Sequence, residues 1–365
     1  MKIPSVSLAR LYRAHSDEYE QKALEILRSG EYILSEEVSA FEKDFAAFNK
    51  ASCCVGVACG LDALLIALDA LEIGEGDEVI VQGNTFIATF IAVSKVGAVP
   101  VAADVKDDYR LDPEDVRRKI TKRTKAVIVT QLYGDIADMD SILSICKEFD
   151  LRLIEDAAQA HGATYRGTKA GTFGDAGCFS FYPTKNLGGF GDGGAVITNN
   201  KALEEKIRII RNYGNIRRNE AIRIGQNSRL DALQAGLLRI RLQYLDEINA
   251  DKQRIADYYS THISNAQIKT PGSPEGNAPV WHQYVIQCKA RDRLKAFLSE
   301  NGIGTDIHYP TPPHLTKAYE HLGLKPGALP VTERLAKEIL SLPVWYGITE
   351  NELKYITDTI NDFHV

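Results

Sequence analysis

Apolar residues recur at helical spacing through the first fifty positions of the chain. The pattern predicts one amphipathic helix that starts at Ser16 or Asp17 and stops at Gly30. A second predicted helix places four apolar residues at spacings of three and four, namely Val38, Phe41, Phe45 and Phe48. Each helix therefore has one face that must pack against the rest of the molecule.

From about residue 60 to residue 156, helical patterns alternate with short, continuous apolar runs. The runs predict strands at 78–81, 99–102, 126–129 and 151–155. Helices are predicted at 61–71, at 85–96, from Asp112-Pro113 onward and at 142–149. Strands that are apolar on both faces and alternate with helices form parallel sheets covered by helices. The sequence thus predicts an α/β fold with a mostly parallel sheet flanked by helices.

The remainder of the chain completes the large unit and predicts a second, smaller one. Two strands are expected around a glycine-rich loop after Gly177, followed by a helix at 202–211. One long helix from about Leu230 to Tyr259 should form a spine between two domains. An alternating strand at 281–288, further helices and a short strand follow. We therefore divide the chain into a large domain, 1–250, which includes the N-terminal helices, and a small C-terminal α+β domain, 251–365.

The glycine-rich loop contains a dinucleotide-binding pattern in the wrong context. Gly189, Gly191 and Gly194 satisfy the GxGxxG spacing. In dinucleotide-binding proteins this pattern follows a strand and opens a helix. Here it precedes the strand-like run 195–198, so we reject a dinucleotide site.

The composition is that of an ordinary globular protein and excludes several classes. The chain has 365 residues, of which 44% are hydrophobic and 25% charged, and its net charge is −6. Without a broad basic field, a nucleic-acid partner is not expected. The sequence shows no signal-peptide core and no apolar stretch of membrane-spanning length. We expect a cytoplasmic protein with no membrane partner.

The cysteines indicate neither a metal site nor a disulfide framework. No CxxC pair or matching histidine spacing occurs among the six, which are Cys53, Cys54, Cys59, Cys146, Cys178 and Cys288. We interpret all of them as reduced core residues.

Lys185 and Asp156 stand at the ends of predicted strands, where open α/β sheets bind ligands. Gln159 and Ser180 lie in the same region. A lysine amine can condense with the aldehyde of pyridoxal 5′-phosphate (PLP), and a carboxylate can keep its pyridine nitrogen protonated. The pattern alone leaves a structural explanation open, because most lysines are surface charges and most such aspartates are caps.

Longer motifs make the hypothesis specific. Asp156-Ala-Ala-Gln159, Ser180-Phe-Tyr-Pro-Thr-Lys185-Asn-Leu-Gly and Gly191-Asp-Gly-Gly-Ala-Val resemble the DegT/DnrJ/EryC1/StrS family of sugar aminotransferases. Further similar segments cover nearly the whole chain, at 30–33, 74–79, 225–229 and 308–310. The resemblance implies a fold-type I PLP enzyme, usually a homodimer, that acts on keto sugars attached to nucleotides.

The resemblance also implies roles for the residues around the cofactor ring. Lys185 should bind the cofactor covalently and move a proton between the cofactor and the sugar carbon. Asp156 should pair with the pyridine nitrogen, and Gln159 should hydrogen-bond the ring hydroxyl. Phe86 is expected to stack on the ring face.

The phosphate is expected at the start of the helix that begins at Gly60. The backbone amides of Leu61 and Asp62 would bind it. Leu61 stands where the family commonly has a residue with a hydroxyl, and Ser180 would supply that hydroxyl instead. Asn227 matches a family residue that reaches the phosphate of the neighbouring subunit, so we expect a homodimer with shared active sites.

Substrate contacts are less sharply indicated. Five residues are candidates, although each could instead be a packing residue: Tyr182, Arg229, His308, Tyr309 and His314. Arg217, Arg218 and Arg223 form a basic cluster that either holds a diphosphate or is a solvated face.

The segments 60–64 and 182–188 look most like enzymes that aminate carbon 3 of dTDP-3-keto-6-deoxyhexoses. The predicted reaction yields a dTDP-3-amino-3,6-dideoxyhexose, with L-glutamate converted to 2-oxoglutarate, for O-antigen, S-layer or antibiotic sugars. The configuration at carbon 4 stays open. Alternatives are a 4-aminotransferase on a UDP- or dTDP-4-keto sugar, a PLP sugar dehydratase and a non-catalytic regulatory homologue. Relatives that deoxygenate sugars carry His at the position of Lys185, which argues against the dehydratase.

Overall fold

A seven-stranded sheet organises the larger part of the molecule, which the computed structural model describes for residues 1–364. The strands of the whole described part of the chain, inside and outside this sheet, are β1 (Cys53–Val57), β2 (Glu78–Gln82), β3 (Val99–Ala103), β4 (Thr124–Thr130), β5 (Arg152–Asp156), β6 (Thr164–Tyr165), β7 (Thr168–Lys169), β8 (Ala176–Ser180), β9 (Gly194–Thr198), β10 (Asn215–Arg217), β11 (Glu220–Ala221), β12 (Asn277–Ala278), β13 (Tyr284–Gln287) and β14 (Ile339–Leu342). The central sheet has the order β1-β9-β8-β5-β4-β2-β3. Its strands are parallel except β9, which runs antiparallel to β1 and β8.

Helices cover both faces of this sheet and also pack around the C-terminal part. They are α1 (Leu8–Ala14), α2 (Ser16–Ser29), α3 (Glu36–Asn49), α4 (Gly60–Ala70), α5 (Ile87–Lys95), α6 (Pro113–Lys119), α7 (Met139–Glu148), α8 (Lys201–Ile210), α9 (Ala232–Gln243), α10 (Leu245–His262), α11 (Arg291–Glu300), α12 (Pro330–Glu338) and α13 (Glu350–Asn361). Within residues 1–364, no helix is long and apolar enough to cross a membrane.

The alternation of side chains along each strand divides the core between the two faces. Ile80 of β2 packs in a cluster with residues of α3, α7 and α9. Its neighbours Val79 and Val81 point the other way, into a cluster with α4, α5 and α8. This arrangement confirms the predicted α/β fold with a mostly parallel sheet flanked by helices.

The C-terminal part has its own apolar cluster, built on the antiparallel pair β13 and β14. Tyr284, Leu340 and Ile356 lie in that cluster, together with Ile3 from the start of the chain. The division at residue 250 stays a prediction. It falls inside α10, whose first residue, Leu245, packs in the large-domain core.

Two predicted elements differ from the structure. The expected single helix from 230 to 259 is two helices, because Tyr244 has φ −100° and ψ 3° and its amide donates back to the Arg241 carbonyl at 3.1 Å. The acidic residues Asp246 and Glu247 then favour a new helix start. The predicted strand 281–288 is shortened to β13, and all four of its residues are buried. Helix α1 and strand β1 were not anticipated.

A buried carboxylate joins the large sheet to the C-terminal part. Asp104, which follows β3, accepts hydrogen bonds from the Thr332 amide and hydroxyl, both at 2.8 Å. It also accepts from the Val331 amide at 3.0 Å. The first turn of α12 is thus capped by a residue from the other end of the fold.

Replacing Asp104 should destabilise the whole molecule. Asp104→Ala leaves buried amides without an acceptor, so we expect a loss of about 2 kcal/mol or more in the free energy of unfolding, measured by urea denaturation. Asp358→Ala is the control, because its exposed pair with Lys354 is worth less than about 1 kcal/mol. Equal, small losses in the two variants would contradict the capping role.

Candidate active site

A cavity of about 500 Å³ opens where the carboxyl ends of the central strands meet the C-terminal part. It brings together ten of the predicted site residues, namely Gly60, Leu61, Phe86, Asp156, Gln159, Ser180, Tyr182, Lys185, His308 and Tyr309. The large sheet contributes Asp156 from the end of β5 and Ser180 from the end of β8. The chain between β8 and β9 contributes Lys185.

Lys185 is half-buried as a residue, and its amine interacts electrostatically with the Asp156 carboxylate. The turn that carries it is closed by the Lys185 amide, which donates to the Tyr182 carbonyl at 2.9 Å. Burial lowers the pKa of Lys185 to about 8, while the charge of Asp156 opposes the shift. A substantial neutral fraction therefore exists at physiological pH, which an attacking or proton-accepting amine requires.

The Asp156 carboxylate is buried but well supplied with hydrogen-bond donors. Its Oδ2 accepts from the Thr89 hydroxyl at 2.7 Å, and its Oδ1 accepts from the Ala158 amide at 3.3 Å. Burial raises the pKa of Asp156, and these hydrogen bonds and the Lys185 charge act against that rise. The site thus places a carboxyl group with hydrogen-bond donors on both oxygens among the residues that line the cavity.

Gln159 is fixed by contacts on both sides of its amide group. Its Oε1 accepts from the Tyr133 amide at 2.7 Å, and its Nε2 donates to the Tyr309 hydroxyl at 3.2 Å. The Tyr133 hydroxyl in turn donates to the His308 carbonyl. Burial, followed by the charge of Asp156, raises the pKa of Tyr309, which keeps its phenol neutral.

The start of α4 offers an anion site that only glycines permit. A Cβ on Gly60 would lie 2.6 Å from the Cβ of Ser180. A Cβ on Gly194 would lie 2.5 Å from the Cys59 carbonyl carbon. Both glycines let the N-terminus of an 11-residue helix approach the Ser180 hydroxyl. Free backbone amides and the helix dipole favour a phosphate at such a place.

Aromatic and polar side chains of the opposite wall complete the cavity. Phe86 is 50% exposed, and its ring centroid lies 5.1 Å from that of Tyr309. An exposed ring in this position can stack on a planar heterocycle. His308 has its Nδ1 within 2.8 Å of the Ser341 hydroxyl, and burial lowers its pKa.

Four predicted site residues lie outside the cavity. Asp62 directs its backbone amide to the Cys59 sulfur at 3.5 Å instead of leaving it free for a phosphate. Arg229 donates to Asn212 at 3.2 Å and stacks on Tyr213. These two positions do not support the roles expected within one chain.

His314 and Asn227 also depart from the expected positions. His314 is buried with its Nε2 3.2 Å from Glu333, so it packs beside α12 and does not face the substrate space. Asn227 is exposed and bridges to Asn212 through its backbone. It does not line the cavity of its own chain.

The structure also adds residues that the sequence did not point to. Thr85, Thr130, Asp192, His282 and Gln283 line the cavity. Burial, and then the charge of Lys185, lowers the pKa of His282 well below its usual value. The sole signal for His282 and Gln283 was a pair of polar residues at the start of a predicted strand.

One cysteine contradicts the expectation that all six lie in the core. Cys59 lines the cavity, half-buried, at the start of α4. Its sulfur caps the helix in the place where a hydroxyl or carboxylate more often stands. The other five cysteines are buried, as expected.

The residues present fit PLP. The glycine-lined start of α4 suits its phosphate, Phe86 its ring face, Asp156 its ring nitrogen and Lys185 its aldehyde. When bound, PLP supplies an electron-accepting ring that stabilises negative charge on the substrate carbon. Lys185 would then hold or release the proton at that carbon, and Asp156 would keep the ring nitrogen positively charged.

Comparison with known proteins agrees with this geometry. Residues 14–361 match the DegT/DnrJ/EryC1/StrS aminotransferase family. The chain is 44% identical over 362 residues to the dTDP-3-amino-3,6-dideoxy-alpha-D-galactopyranose transaminase of Aneurinibacillus thermoaerophilus, covering 99% of both chains.

Two solved structures are similar over nearly the whole chain. DesV of S. venezuelae, in complex with a ketimine intermediate, has a TM-score of 0.97 at 41% identity, covering 99% of this chain and 98% of that one. NtdA of Bacillus subtilis, with bound pyridoxamine phosphate, has a TM-score of 0.91 at 30% identity, covering 98% and 84%.

The chain therefore belongs to the DegT/DnrJ/EryC1/StrS aminotransferase family. It is a sugar aminotransferase, and its cofactor is pyridoxal 5′-phosphate. Both statements confirm what the sequence motifs implied.

The lowered pKa of Lys185 has a measurable consequence. The neutral amine is the nucleophile, so the rate at which the apoprotein captures PLP should rise with pH, with a midpoint at about 8, and level off at higher pH, as followed by stopped-flow absorbance. Asp156→Asn removes the charge that raises this pKa, so the midpoint should move to lower pH.

Chemical labelling identifies the lysine that binds PLP. Borohydride should fix PLP to the wild-type protein at Lys185, and Lys185→Ala should hold PLP without any fixed label. A label on another lysine, or a midpoint near 10.5, the ordinary value for lysine, would contradict the assignment.

Proposed function

We propose that this aminotransferase acts on carbon 3 of a dTDP-3-keto-6-deoxyhexose and forms a dTDP-3-amino-3,6-dideoxyhexose. L-glutamate supplies the amino group and leaves as 2-oxoglutarate. The observation that carries the proposal is the full-length similarity, at 44% identity, to a transaminase named for such a product. The product would serve O-antigen, S-layer or antibiotic sugar synthesis in the cytoplasm.

The side chains of the cavity suit a hydroxylated, uncharged ring. Tyr182 is 53% exposed and borders the cavity beside His308 and Tyr309. Since the pKa of His308 is lowered and that of Tyr309 raised, both are neutral at physiological pH. Neutral hydroxyl and imidazole groups both donate and accept hydrogen bonds, which matches the hydroxyls of a sugar.

The charge of the cavity supports a shared active site. Among residues 1–364, Lys185 is the one cation in the lining, which also contains the carboxylates of Asp156 and Asp192. A nucleotide diphosphate and the carboxylates of glutamate need more positive charge than one chain provides here. A second subunit is the natural source of that charge.

An exposed apolar hairpin supports the same conclusion. Strands β10 and β11 form this hairpin, and Tyr213, Ile216, Ile222 and Ile224 around it are exposed, Ile224 to 92%. Exposed apolar groups of this size mark interfaces in soluble proteins. The hairpin stands just before Asn227, so a partner that covers the hairpin would also lie close to Asn227.

The substrate proposal is tested by direct assay. Purified protein loaded with PLP should lose its visible colour on adding L-glutamate and then aminate a dTDP-3-keto-6-deoxyhexose. Both epimers at carbon 4 are supplied, and NMR locates the new amine. An amine at carbon 4 of a 4-keto sugar, with no turnover of either 3-keto epimer, would favour the 4-aminotransferase alternative instead.

The shared site is tested by mixing inactive subunits. In a heterodimer of Lys185→Ala and Asn227→Ala chains, one site carries both defects and the other carries neither. We expect up to about half of one dimer's activity to return. Lys185→Ala mixed with Asp156→Asn is the matched control, because both residues line the same cavity and no intact site can form.

One outcome would contradict an active site shared between subunits. If Asn227→Ala alone is inactive and heterodimers form but stay inactive, Asn227 acts within its own subunit. The amination assay above would be unaffected by that result.

A further inference from the structure

Three buried threonine hydroxyls form a chain that ends on the Asp156 carboxylate. The Thr89 hydroxyl donates to Oδ2 of Asp156 at 2.7 Å. The hydroxyls of Thr85 and Thr89 lie 2.9 Å apart, and those of Thr85 and Thr130 lie 3.0 Å apart. The exposed fractions of Thr89, Thr85 and Thr130 are 0%, 1% and 4%, so bulk water does not compete with these contacts.

The hydrogen bonds between these hydroxyls can point in one direction only. A hydroxyl has a single proton, and Thr89 uses its own on Asp156. Thr89 must therefore accept from Thr85, and Thr85 must accept from Thr130. Each bond polarises the next, which strengthens the last donor toward the carboxylate.

The three residues come from three separate segments. Thr130 ends β4, Thr85 lies in the loop after β2, and Thr89 lies in the first turns of α5. Valine has nearly the shape of threonine and would fill these buried positions without burying a hydroxyl. Packing alone therefore does not account for three hydroxyls in line.

The carboxylate at the end of the chain needs such support. Burial is the largest influence on Asp156 and favours its neutral form, whereas the Thr89 hydrogen bond is the largest influence that favours the charged form. Only the charged carboxylate can hold a proton on the pyridine nitrogen of PLP.

We propose that Thr89 is a positioning residue that keeps the Asp156 carboxylate ionised and directed toward the cofactor ring, with Thr85 and Thr130 strengthening its hydroxyl as a donor. The proposal rests on the family and its cofactor and does not depend on which sugar is aminated.

The test compares two ligands of the apoprotein: PLP, and the PLP analogue in which carbon replaces the ring nitrogen. Thr89→Val removes the donor and keeps the shape. It should weaken PLP binding about tenfold, in line with the loss of a hydrogen bond to a charged group, and leave binding of the analogue unchanged. Thr89→Ser keeps a hydroxyl and should recover most of the difference.

A double-mutant cycle shows whether the effect passes through Asp156. In an Asp156→Asn background, Thr89→Val should not change the ratio of PLP to analogue affinity any further. Thr85→Val should shift the ratio in the same direction as Thr89→Val but by less. It also carries the test if Thr89→Val does not fold.

The control is Thr357→Val in α13, a buried threonine whose hydroxyl donates to the Leu353 carbonyl at 3.1 Å. It should leave both affinities at their wild-type values. Equal weakening of PLP and analogue by Thr89→Val would mean that Thr89 only packs, and would overturn the proposal. If Thr85→Val left the ratio of PLP to analogue affinity unchanged, the proposed role of Thr85 and Thr130 would be overturned.

Discussion

The active site depends on one buried negative charge. Burial favours the neutral acid form of Asp156, whereas the Thr89 hydroxyl, the Ala158 amide and the charge of Lys185 favour the ionised form. The same proximity works in reverse on Lys185, whose pKa burial lowers and Asp156 partly restores. The two groups therefore set each other's protonation, and neither can be understood from its own surroundings alone. The parallel strands β5 and β8 make this possible because they end side by side.

The second constraint is the close approach of neighbouring backbone segments at the start of α4. Gly60 and Gly194 leave no room for a Cβ, and this brings the helix N-terminus, β9 and Ser180 within contact distance. The opposite wall is held by a different kind of contact. Gln159 and Tyr133 tie the end of the sheet to the His308–Tyr309 segment. The cofactor cavity is thus a joint between two parts of the fold, and movement of the C-terminal part would reshape it directly.

Local patterns predicted those features that local physics determines. The apolar runs of β2 to β5 and the Lys185 and Asp156 motifs could be identified because each is continuous in sequence. The hydrogen-bonded hydroxyls of Thr130, Thr85 and Thr89 could not be predicted, because these residues meet only when β4, the loop after β2 and α5 pack together. His282 was hidden for the same reason, and the break at Tyr244 follows from a single backbone turn inside an otherwise helical pattern. His314 shows the converse, because it follows closely after the similar segment 308–310 in sequence, whereas packing turns its ring toward Glu333.

Cys59 gives the molecule a property that its other cysteines do not share. Cys59 is a half-buried residue at the start of α4, where the cavity offers its anion site, whereas the remaining five cysteines are buried in the core. Burial raises the pKa of Cys59, so the thiol reacts slowly, but it is the one that a reagent entering the cavity would meet first. A cofactor phosphate seated on α4 would shield it. Alkylation of Cys59 would then report how much of the enzyme holds its cofactor, without any substrate.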